Sequence, residues 1–344
     1  MIISRCPLVF VALLFAPLTV TAHHSFVAFD ETQEAFVRGT VSGFEFRNPH
    51  TYIFVDVRLP DGRLEQWRLE SETKNDLSRN GWNESSFQAG DVLTARVNPA
   101  RDAERKYARV LSLEKSDGVV LAIPNDDDES GRTNIVPAAG FEGVWLPIQT
   151  FRTFWGLIAP VISEDARAEA EAVSNSDALP PNTQCIDMSI PQRLGRAHVY
   201  EIEFASDDLI LIHGEDDAEP RNIYLDGRAH PEEIPNAERS YTGHSVGYWQ
   251  DDTLVIDTAH FKEQSNGHGG YPSGSQKHLV ERYRLSEDKT HIIIEFTLDD
   301  PEYLTAAVSH TFQWQHSPHI TRLPHSCDPE SALGYIADLG TGEE

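Results

Sequence analysis

Short segments in which apolar and polar residues alternate recur along the chain, and this pattern constrains the fold more than any other feature of the sequence. In TYIFVDVRL (51–59), Val55 and Val57 alternate with Asp56 and Arg58. A period of two places every second side chain on the same face of a β-strand. Gly-, Pro- and Asp-rich turn signals separate consecutive segments, as they do between antiparallel strands. The sequence therefore predicts a mainly β protein.

The first part of the chain contains three predicted strands, a short helix and two more strands. The strand segments are AFVRGTVSGFEF (35–46), TYIFVDVRL (51–59), LEQWRLE (64–70), DVLTARVNP (91–99) and YARVLSLE (107–114). Between the third and fourth segments, residues 71–82 lose the period of two, and Ser71 or Thr73 could cap a helix that stops at Gly81. This order of elements is that of an OB-like small barrel.

A second predicted domain follows a polar linker. Residues 119–140 contain the acidic run DDDE and few apolar residues, which is typical of a solvated linker rather than of a cation site. From 141 to 337, eight further strand-like segments and one helix (163–173) predict an antiparallel lipocalin-like barrel or sandwich. We therefore expect two β domains, 23–118 and 141–337, and a short tail over 338–344.

The first 22 residues have the pattern of a secretory signal peptide. Arg5 precedes an apolar run, and Val20-Thr21-Ala22 provides a small-residue cleavage site. The apolar run is too short for a membrane span, so we expect none in the mature chain. Cleavage after Ala22 would deliver the protein to the periplasm or the medium. Because Cys6 is removed with the leader, the mature chain keeps two cysteines, Cys185 and Cys327. We predict that they form a disulfide in that oxidising compartment.

Net charge limits the partners of the protein. The formal charge is −27 at pH 7, and such a surface repels the phosphates of nucleic acids and anionic membranes. We therefore expect a small-molecule or metal ligand and no nucleic-acid partner.

Three histidines in the first domain suggest a copper site. Cleavage after Ala22 would leave His23 and His24 at the new amino terminus, and His50 is the only other histidine before residue 118. An α-amine and neutral imidazoles are donors that copper binds more tightly than other divalent first-row metals do. The alternative is that all three are solvated surface residues.

Parts of the sequence resemble two families of exported bacterial proteins of unknown function. The motifs HHSF (23–26), RGTV (38–41) and NPH (48–50) resemble one family over about residues 23–118. The motifs YLDGRAHP (224–231) and GHSVGYWQDDTLVIDTAHF (243–261) resemble the other over about residues 141–337. These resemblances imply export and two modules, and they imply no particular reaction.

The motifs of the second domain contain residues that could form a site. We expect Arg228, His230, His244 and Asp257 to converge near strand ends, where a histidine beside a carboxylate can act as a general acid or base or help to bind a metal. Ser245 stands in GHSVG, but strands on both sides of it do not give the strand–turn–helix context of a serine hydrolase. We therefore expect an exported protein that binds a metal or a small ligand. The alternatives are an enzyme with its site in this second domain and a structural or interaction protein of the cell envelope.

Overall fold

The protein folds as two β-barrels that follow one another along the chain. The computed structural model describes residues 29–30, 32–48, 50–121, 135–148, 152–174, 184–196, 198–215, 217–324 and 326–328. Within these residues, a five-stranded barrel precedes a nine-stranded closed barrel, which confirms the predicted mainly β fold and shows the second domain to be a barrel rather than a sandwich.

The first barrel is built from the elements that the alternation pattern predicts. Their bounds are β1 (Ala35–Glu45), β2 (Thr51–Arg58), β3 (Leu64–Ser71), α1 (Lys74–Arg79), β4 (Val92–Pro99), β5 (Tyr107–Lys115) and the short β6 (Val120–Leu121). Helix α1 begins where the Thr73 hydroxyl accepts the N–H of Asp76 at 3.1 Å. The helix is shorter than the predicted segment, and Gly81 follows it with a φ of 87°.

Two non-consecutive pairings close this barrel. Strand β1 lies between β2 and β4, and β3 pairs in parallel with β5. The closed order is therefore β1-β2-β3-β5-β4, with α1 between β3 and β4, which is the topology of an OB-like barrel. The core consists of the inward-facing apolar residues of these strands, among them Ile53, Val55, Leu69 and Val97.

Within its described residues, the second barrel contains nine strands and two α-helices. Their bounds are β7 (Gly143–Pro147), α2 (Arg152–Ile158), α3 (Glu164–Ser174), β8 (Tyr200–Ser206), β9 (Leu209–Gly214), β10 (Arg221–Tyr224), β11 (His244–Gln250), β12 (Thr253–Ala259), β13 (His278–Leu285), β14 (His291–Asp299) and β15 (Val308–His316). The sequence pattern predicts neither β7 nor α2. Without β7, which pairs with β15 and with β8, the barrel would not close.

The odd number of strands fixes one unusual pairing in this barrel. Strand directions cannot alternate all the way around a ring of nine, so at least one neighbouring pair must be parallel. That pair is β10–β11, with Ile223 opposite Ser245 and Tyr224 opposite Val246. Parallel neighbours cannot be joined by a tight hairpin, so residues 225–243 form a long connection outside the barrel.

Large side chains fill the interior of the second barrel. Trp145 and Trp314 are fully buried, and the rings of Tyr200 and Trp314 stack at 4.3 Å. One end of the barrel is covered by α2 and by the glycine-rich connection between β12 and β13. There the N–H of Gly269 donates to Oε1 of Gln192 at 2.8 Å.

A carboxy-terminal segment joins the two barrels. The Cα atoms of Cys185 and Cys327 lie 5.8 Å apart and the two sulfurs have disulfide geometry, as the sequence predicts. Cys327 also forms a backbone bridge with Asn48 of the first barrel, and Arg47 pairs with Asp328 at 2.7 Å. The segment therefore contacts both barrels within a few residues of the disulfide.

Candidate functional site

Four ionisable side chains form a hydrogen-bonded cluster on the outer surface of the second barrel. His230 lies in the connection between β10 and β11, whereas His244, Asp257 and His278 lie on β11, β12 and β13. Nδ1 of His230 lies 2.9 Å from Nδ1 of His244, and Nε2 of His230 lies 3.0 Å from Oδ1 of Asp257. Nε2 of His278 contacts the same oxygen at 2.9 Å. We call these four residues the histidine cluster.

The contacts of this cluster determine where its protons lie. An ionised Asp257 can only accept, so Nε2 of His230 carries a hydrogen. In neutral His230 the other nitrogen, Nδ1, is then an acceptor, and His244 must donate to it through Nδ1–H. This assignment leaves Nε2 of His244 with a lone pair. Among the described residues, Nε2 of His244 has no hydrogen-bond partner.

A second set of contacts supports the ring of His244 from its other side. The Tyr224 ring stacks on the His244 ring, with centroids 5.4 Å apart. The guanidinium of Arg228 lies 3.9 Å from the centroid of the Tyr224 ring, and its Nε donates to Oδ1 of Asp226 at 2.8 Å. His244 is therefore oriented both by a hydrogen-bonded chain that ends on Asp257 and by a stack that is anchored on Asp226.

A cavity of about 640 Å³ opens beside His244. It lies between the outer face of β9 and β10 and the long connection that precedes β11. It is lined by acidic and basic side chains, two tyrosines and two histidines, among other residues: Asp187, Glu219, Glu238, Arg239, Lys262, Tyr224, Tyr241, His244 and His260. We call this cavity the groove. Its volume falls within the range of sites that hold small molecules.

The surroundings of His244 keep its imidazole neutral. Burial lowers the pKa of His244 below its usual value, and the positive charge of nearby Arg228 lowers it further. A neutral ring at pH 7 is able to accept a proton or to bind a metal, whereas a protonated ring can do neither.

The barrel wall separates the motif residues into two groups, because neighbouring residues of a strand point to opposite faces. His244 and Asp257 point outward, whereas the next residues, Ser245 and Thr258, are fully buried inside. Inside, Arg221 bonds Ser245 at 3.1 Å, Thr258 at 2.8 Å and Glu281 at 3.1 Å. Ser245 is thus part of a buried polar network and is not exposed to a ligand.

The structure places the four predicted residues of the second domain in one region. His230 contacts both His244 and Asp257, whereas Arg228 is exposed and reaches His244 through Tyr224. Two further residues of this region, Tyr224 and His278, were not predicted from the sequence. Tyr224 lies in the same YLDGR motif as Arg228, which could have indicated it, but nothing in the sequence connects His278 with Asp257.

In the first barrel, His50 lies in a buried polar cluster. Nδ1 of His50 is 3.1 Å from Oε1 of Glu70, and the Tyr107 hydroxyl donates to the same carboxyl group. Burial raises the pKa of Glu70 to about 8, and burial together with the charges of Arg196 and Arg68 lowers the pKa of His50 to about 4. His50 is therefore neutral at pH 7.

The other two predicted copper ligands, His23 and His24, lie outside the described residues. Among the residues that the structure describes, no group of three or more His, Cys, Asp or Glu side chains is arranged to hold a metal ion. The described part of the chain therefore contributes at most His50 and its neighbours to the predicted site.

These features define a protein of two β-barrels that carries a histidine–aspartate cluster beside an external groove. Residues 12–109 match a family of unknown function (DUF6152), in agreement with the resemblance of the first part of the chain to such a family. Comparison with curated proteins and comparison with solved structures found no match. In the described parts of the chain, no helix is long and apolar enough to cross a membrane.

Proposed function

We propose that the second barrel binds a small polar molecule in the groove and that His244 acts on it as a general base. The observation that carries this proposal is the series of hydrogen bonds from Asp257 to His230 and from His230 to His244, whose ring lines the groove. A base oriented by a second group that is itself held by a carboxylate is the arrangement by which enzymes activate a hydroxyl group or a water molecule. The protein is then an enzyme that catalyses proton transfer.

The same series of hydrogen bonds provides a path for the proton. Nε2 of His244 takes a proton from the ligand or from a water molecule, and the Nδ1 proton of His244 passes to Nδ1 of His230. His244 remains neutral, and the positive charge appears on His230, where Asp257 stabilises it at 3.0 Å. The barrier is lowered because the charge develops next to a fixed carboxylate rather than at the groove.

Nitrogen-15 NMR of the histidine side chains tests this proposal. At pH 7 we expect a protonated Nδ1 and an unprotonated Nε2 for His244, and the reverse for His230. The variant His244→Asn identifies the signals, and His213→Asn provides a control because His213 pairs with Glu203 on the surface of the same barrel at 3.0 Å. A proton on Nε2 of His244 would leave no base beside the groove, and the proposal would be wrong.

A second candidate function is copper binding by the first barrel, with an exported location. One observation favours it: the Phe29 ring lies 4.9 Å from the Tyr107 ring, and Tyr107 bonds Glu70, the partner of His50. His24 precedes Phe29 by five residues, and such a segment can span about 17 Å. We propose that a mature amino terminus at His23 binds Cu(II) together with His24 and His50.

Competition titration against a copper chelator tests the copper proposal. Compared with protein that begins at His23, we expect weaker binding when one residue precedes His23, since the amine then becomes an amide. His50→Ala and His50→Gln should also weaken binding, whereas His213→Ala should not. Equal affinity in all of these proteins, or a mature chain that begins elsewhere, would contradict this proposal.

A further inference from the structure

The wall of the groove is held from inside the protein by residues that the proposed proton transfer does not use. Asp187 and Tyr241 both line the groove. The hydroxyl of Ser189 donates to the carbonyl oxygen of Tyr241 at 3.0 Å, and Nε2 of Gln264 donates to the carbonyl oxygen of Asp187 at 2.8 Å. Oε1 of Gln264 in turn accepts the N–H of Ser189 at 3.0 Å. The two wall segments are thus connected through Ser189 and Gln264.

A buried lysine lies behind these connections. Nζ of Lys277 donates to the hydroxyl of Ser189 and to the carbonyl oxygen of Ile190, the latter at 3.1 Å. The same nitrogen lies 4.2 Å from the centre of the Phe261 ring. Only 1 % of Lys277 is exposed, so water cannot replace these partners. Lys277 directly precedes β13, so its amine connects the start of β13 to Ser189. Because Ser189 bonds Tyr241, the same contacts also hold the wall of the groove at Tyr241.

The partners of Lys277 match an ammonium group and not a neutral amine. An ammonium has three N–H donors and no lone pair. A hydroxyl oxygen, a carbonyl oxygen and an aromatic face all attract such donors. A neutral amine has two donors and one lone pair, so it keeps all three contacts only if the Ser189 hydroxyl turns and donates to that lone pair. The hydroxyl would then give up its hydrogen bond to the carbonyl oxygen of Tyr241, so loss of the proton weakens either a contact of Lys277 or the connection to the wall at Tyr241.

Two ionisable groups face this amine from the packed elements around it. Asp300 follows β14, and its carboxylate stabilises the ammonium. His268, in the connection before β13, donates from Nε2 to the same carboxylate at 2.7 Å. Both side chains are fully buried. Burial opposes the attraction of Asp300 and lowers the pKa of Lys277 to about 7. The balance between the two forms of Lys277 thus changes close to neutral pH.

We propose that Lys277 is a positioning residue for the groove: its ammonium form holds the wall segments 187–190 and 240–243 against the barrel, and its deprotonation releases them. Ligand binding in the groove is then regulated by pH from inside the protein. This inference rests on the proposed function only in taking the groove as the ligand site. It does not require His244 to be a base.

Backbone amide NMR of the whole protein between pH 5.5 and 8.5 tests this inference. We expect the amides of Tyr241, Thr242 and Gly243 to shift with the same midpoint as the Cε signal of Lys277, near pH 7. In Lys277→Met, which has no ionisable group, the shift of these amides with that midpoint should disappear. It should persist in His268→Gln and in His244→Asn, which remove the nearby histidines.

The Lys277→Met titration and the Lys277 signal of the native protein each decide whether Lys277 controls the wall of the groove. If the wall amides titrate in Lys277→Met as they do in the native protein, histidines cause the response and the inference is wrong. If Lys277→Met does not fold, a Lys277 signal in the native protein that does not change up to pH 8.5 overturns the inference, and a midpoint shared with the wall amides supports it. The tautomer of His244 is read from other signals, so the failure of one proposal does not imply the failure of the other.

Discussion

At the scale of single residues, the chemistry proposed for His244 depends on the negative charge of Asp257. Asp257→Asn removes the charge that stabilises a proton on His230, so His244 Nε2 should become a weaker base and nucleophile. We expect diethyl pyrocarbonate to modify His244 about tenfold more slowly in this variant, which corresponds to one pKa unit of lost stabilisation. Peptide mass spectrometry measures the rate.

Asp226→Asn is the matched control for this prediction. It disturbs the stack of Arg228 on Tyr224 but leaves the hydrogen bond between His244 and His230 and the hydrogen bond between His230 and Asp257 intact. An equal loss of reactivity in both variants would show that the orientation of His244, and not the charge of Asp257, controls its reactivity.

Lys277 should make the stability of the protein depend on pH in a defined direction. Its pKa is about 7 in the folded protein and about 10.4 in the unfolded chain. Between these values the unfolded chain binds more protons, so stability rises with pH. From pH 7 to pH 9 we expect this group to add about 2 kcal/mol to the free energy of unfolding.

Urea unfolding of the native protein and of Lys277→Met at both pH values measures this contribution. Other groups titrate in both proteins alike, so the difference between their pH dependences isolates Lys277. A difference near zero would mean that Lys277 titrates in the folded protein as it does in the unfolded chain.

The residues of the candidate site could be predicted only in part. Motifs identify His230, His244 and Asp257 because all three fall in short stretches near strand ends. The role of Arg228 could not be predicted, because its contact with Asp226 and Tyr224 depends on how the connection after β10 folds. His278 was missed for a similar reason: its contact with Asp257 depends on the pairing of β12 with β13, and strand pairing cannot be read from one sequence.

At the scale of secondary-structure elements, Arg221 connects four consecutive strands from inside the barrel. It extends from β10 to Ser245 on β11, Thr258 on β12 and Glu281 on β13, and it is almost fully buried. Arg221→Met leaves Glu281 as an unpaired buried carboxylate. We expect this variant to lose about 3–5 kcal/mol of stability, measured by denaturant unfolding.

Two further variants show whether the loss comes from the unpaired charge. Glu281→Gln combined with Arg221→Met should recover much of the loss, since no charge then remains buried without a partner. Arg284→Met, which removes an exposed arginine that is 3.5 Å from Glu295, should cost less than about 1 kcal/mol. A small effect of Arg221→Met alone would mean that Glu281 takes up a proton at little cost.

The end of the second barrel depends on one glycine. Gly269 has a φ of 69°, and a Cβ atom at this position would overlap the indole ring of Trp155 from α2. We expect Gly269→Ala to destabilise the barrel by about 1–3 kcal/mol through strain and steric overlap. Gly227→Ala is the control, because Gly227 has a similar φ of 76° with open space around it. Thermal unfolding compares the two variants, and equal losses would rule out the overlap with Trp155.

The alternation pattern predicts most elements of both barrels and misses those whose structure depends on distant contacts. Segments such as 278–285 alternate clearly because one face is buried and the other is solvated. Strand β7 is short and ends at Pro147, and it is stabilised by pairing with β15, far along the chain. Its sequence alone therefore carries a weak strand signal.

At the scale of the whole molecule, the disulfide closes a long loop. The bridge between Cys185 and Cys327 spans 142 residues, and closing such a loop in the unfolded chain stabilises the folded state by about 5 kcal/mol in the chain-entropy model. Replacing both cysteines by serine should reduce the free energy of unfolding by up to this amount. Guanidinium unfolding of the oxidised protein, the reduced protein and the double variant measures the effect.

The reduced protein and the double variant should behave alike, since both lack the bridge. If they are as stable as the oxidised protein, the contacts of Arg47 and Asn48 with the carboxy-terminal segment are sufficient to hold it in place. A larger loss in Cys185→Ser or Cys327→Ser alone than in the double variant would indicate that an unpaired thiol itself destabilises the protein.

The parallel pair β10–β11 has a consequence for how this protein can change over evolutionary time. Each of the other neighbouring pairs in the nine-stranded ring is antiparallel, so a long external connection, residues 225–243, is required only between β10 and β11. That connection supplies His230 and much of the groove lining without contributing a strand to the ring. Insertions and deletions there can therefore reshape what the groove accepts while the hydrogen-bonded ring stays intact. Relatives that retain the barrel but recognise different molecules should differ most in the length and sequence of this connection.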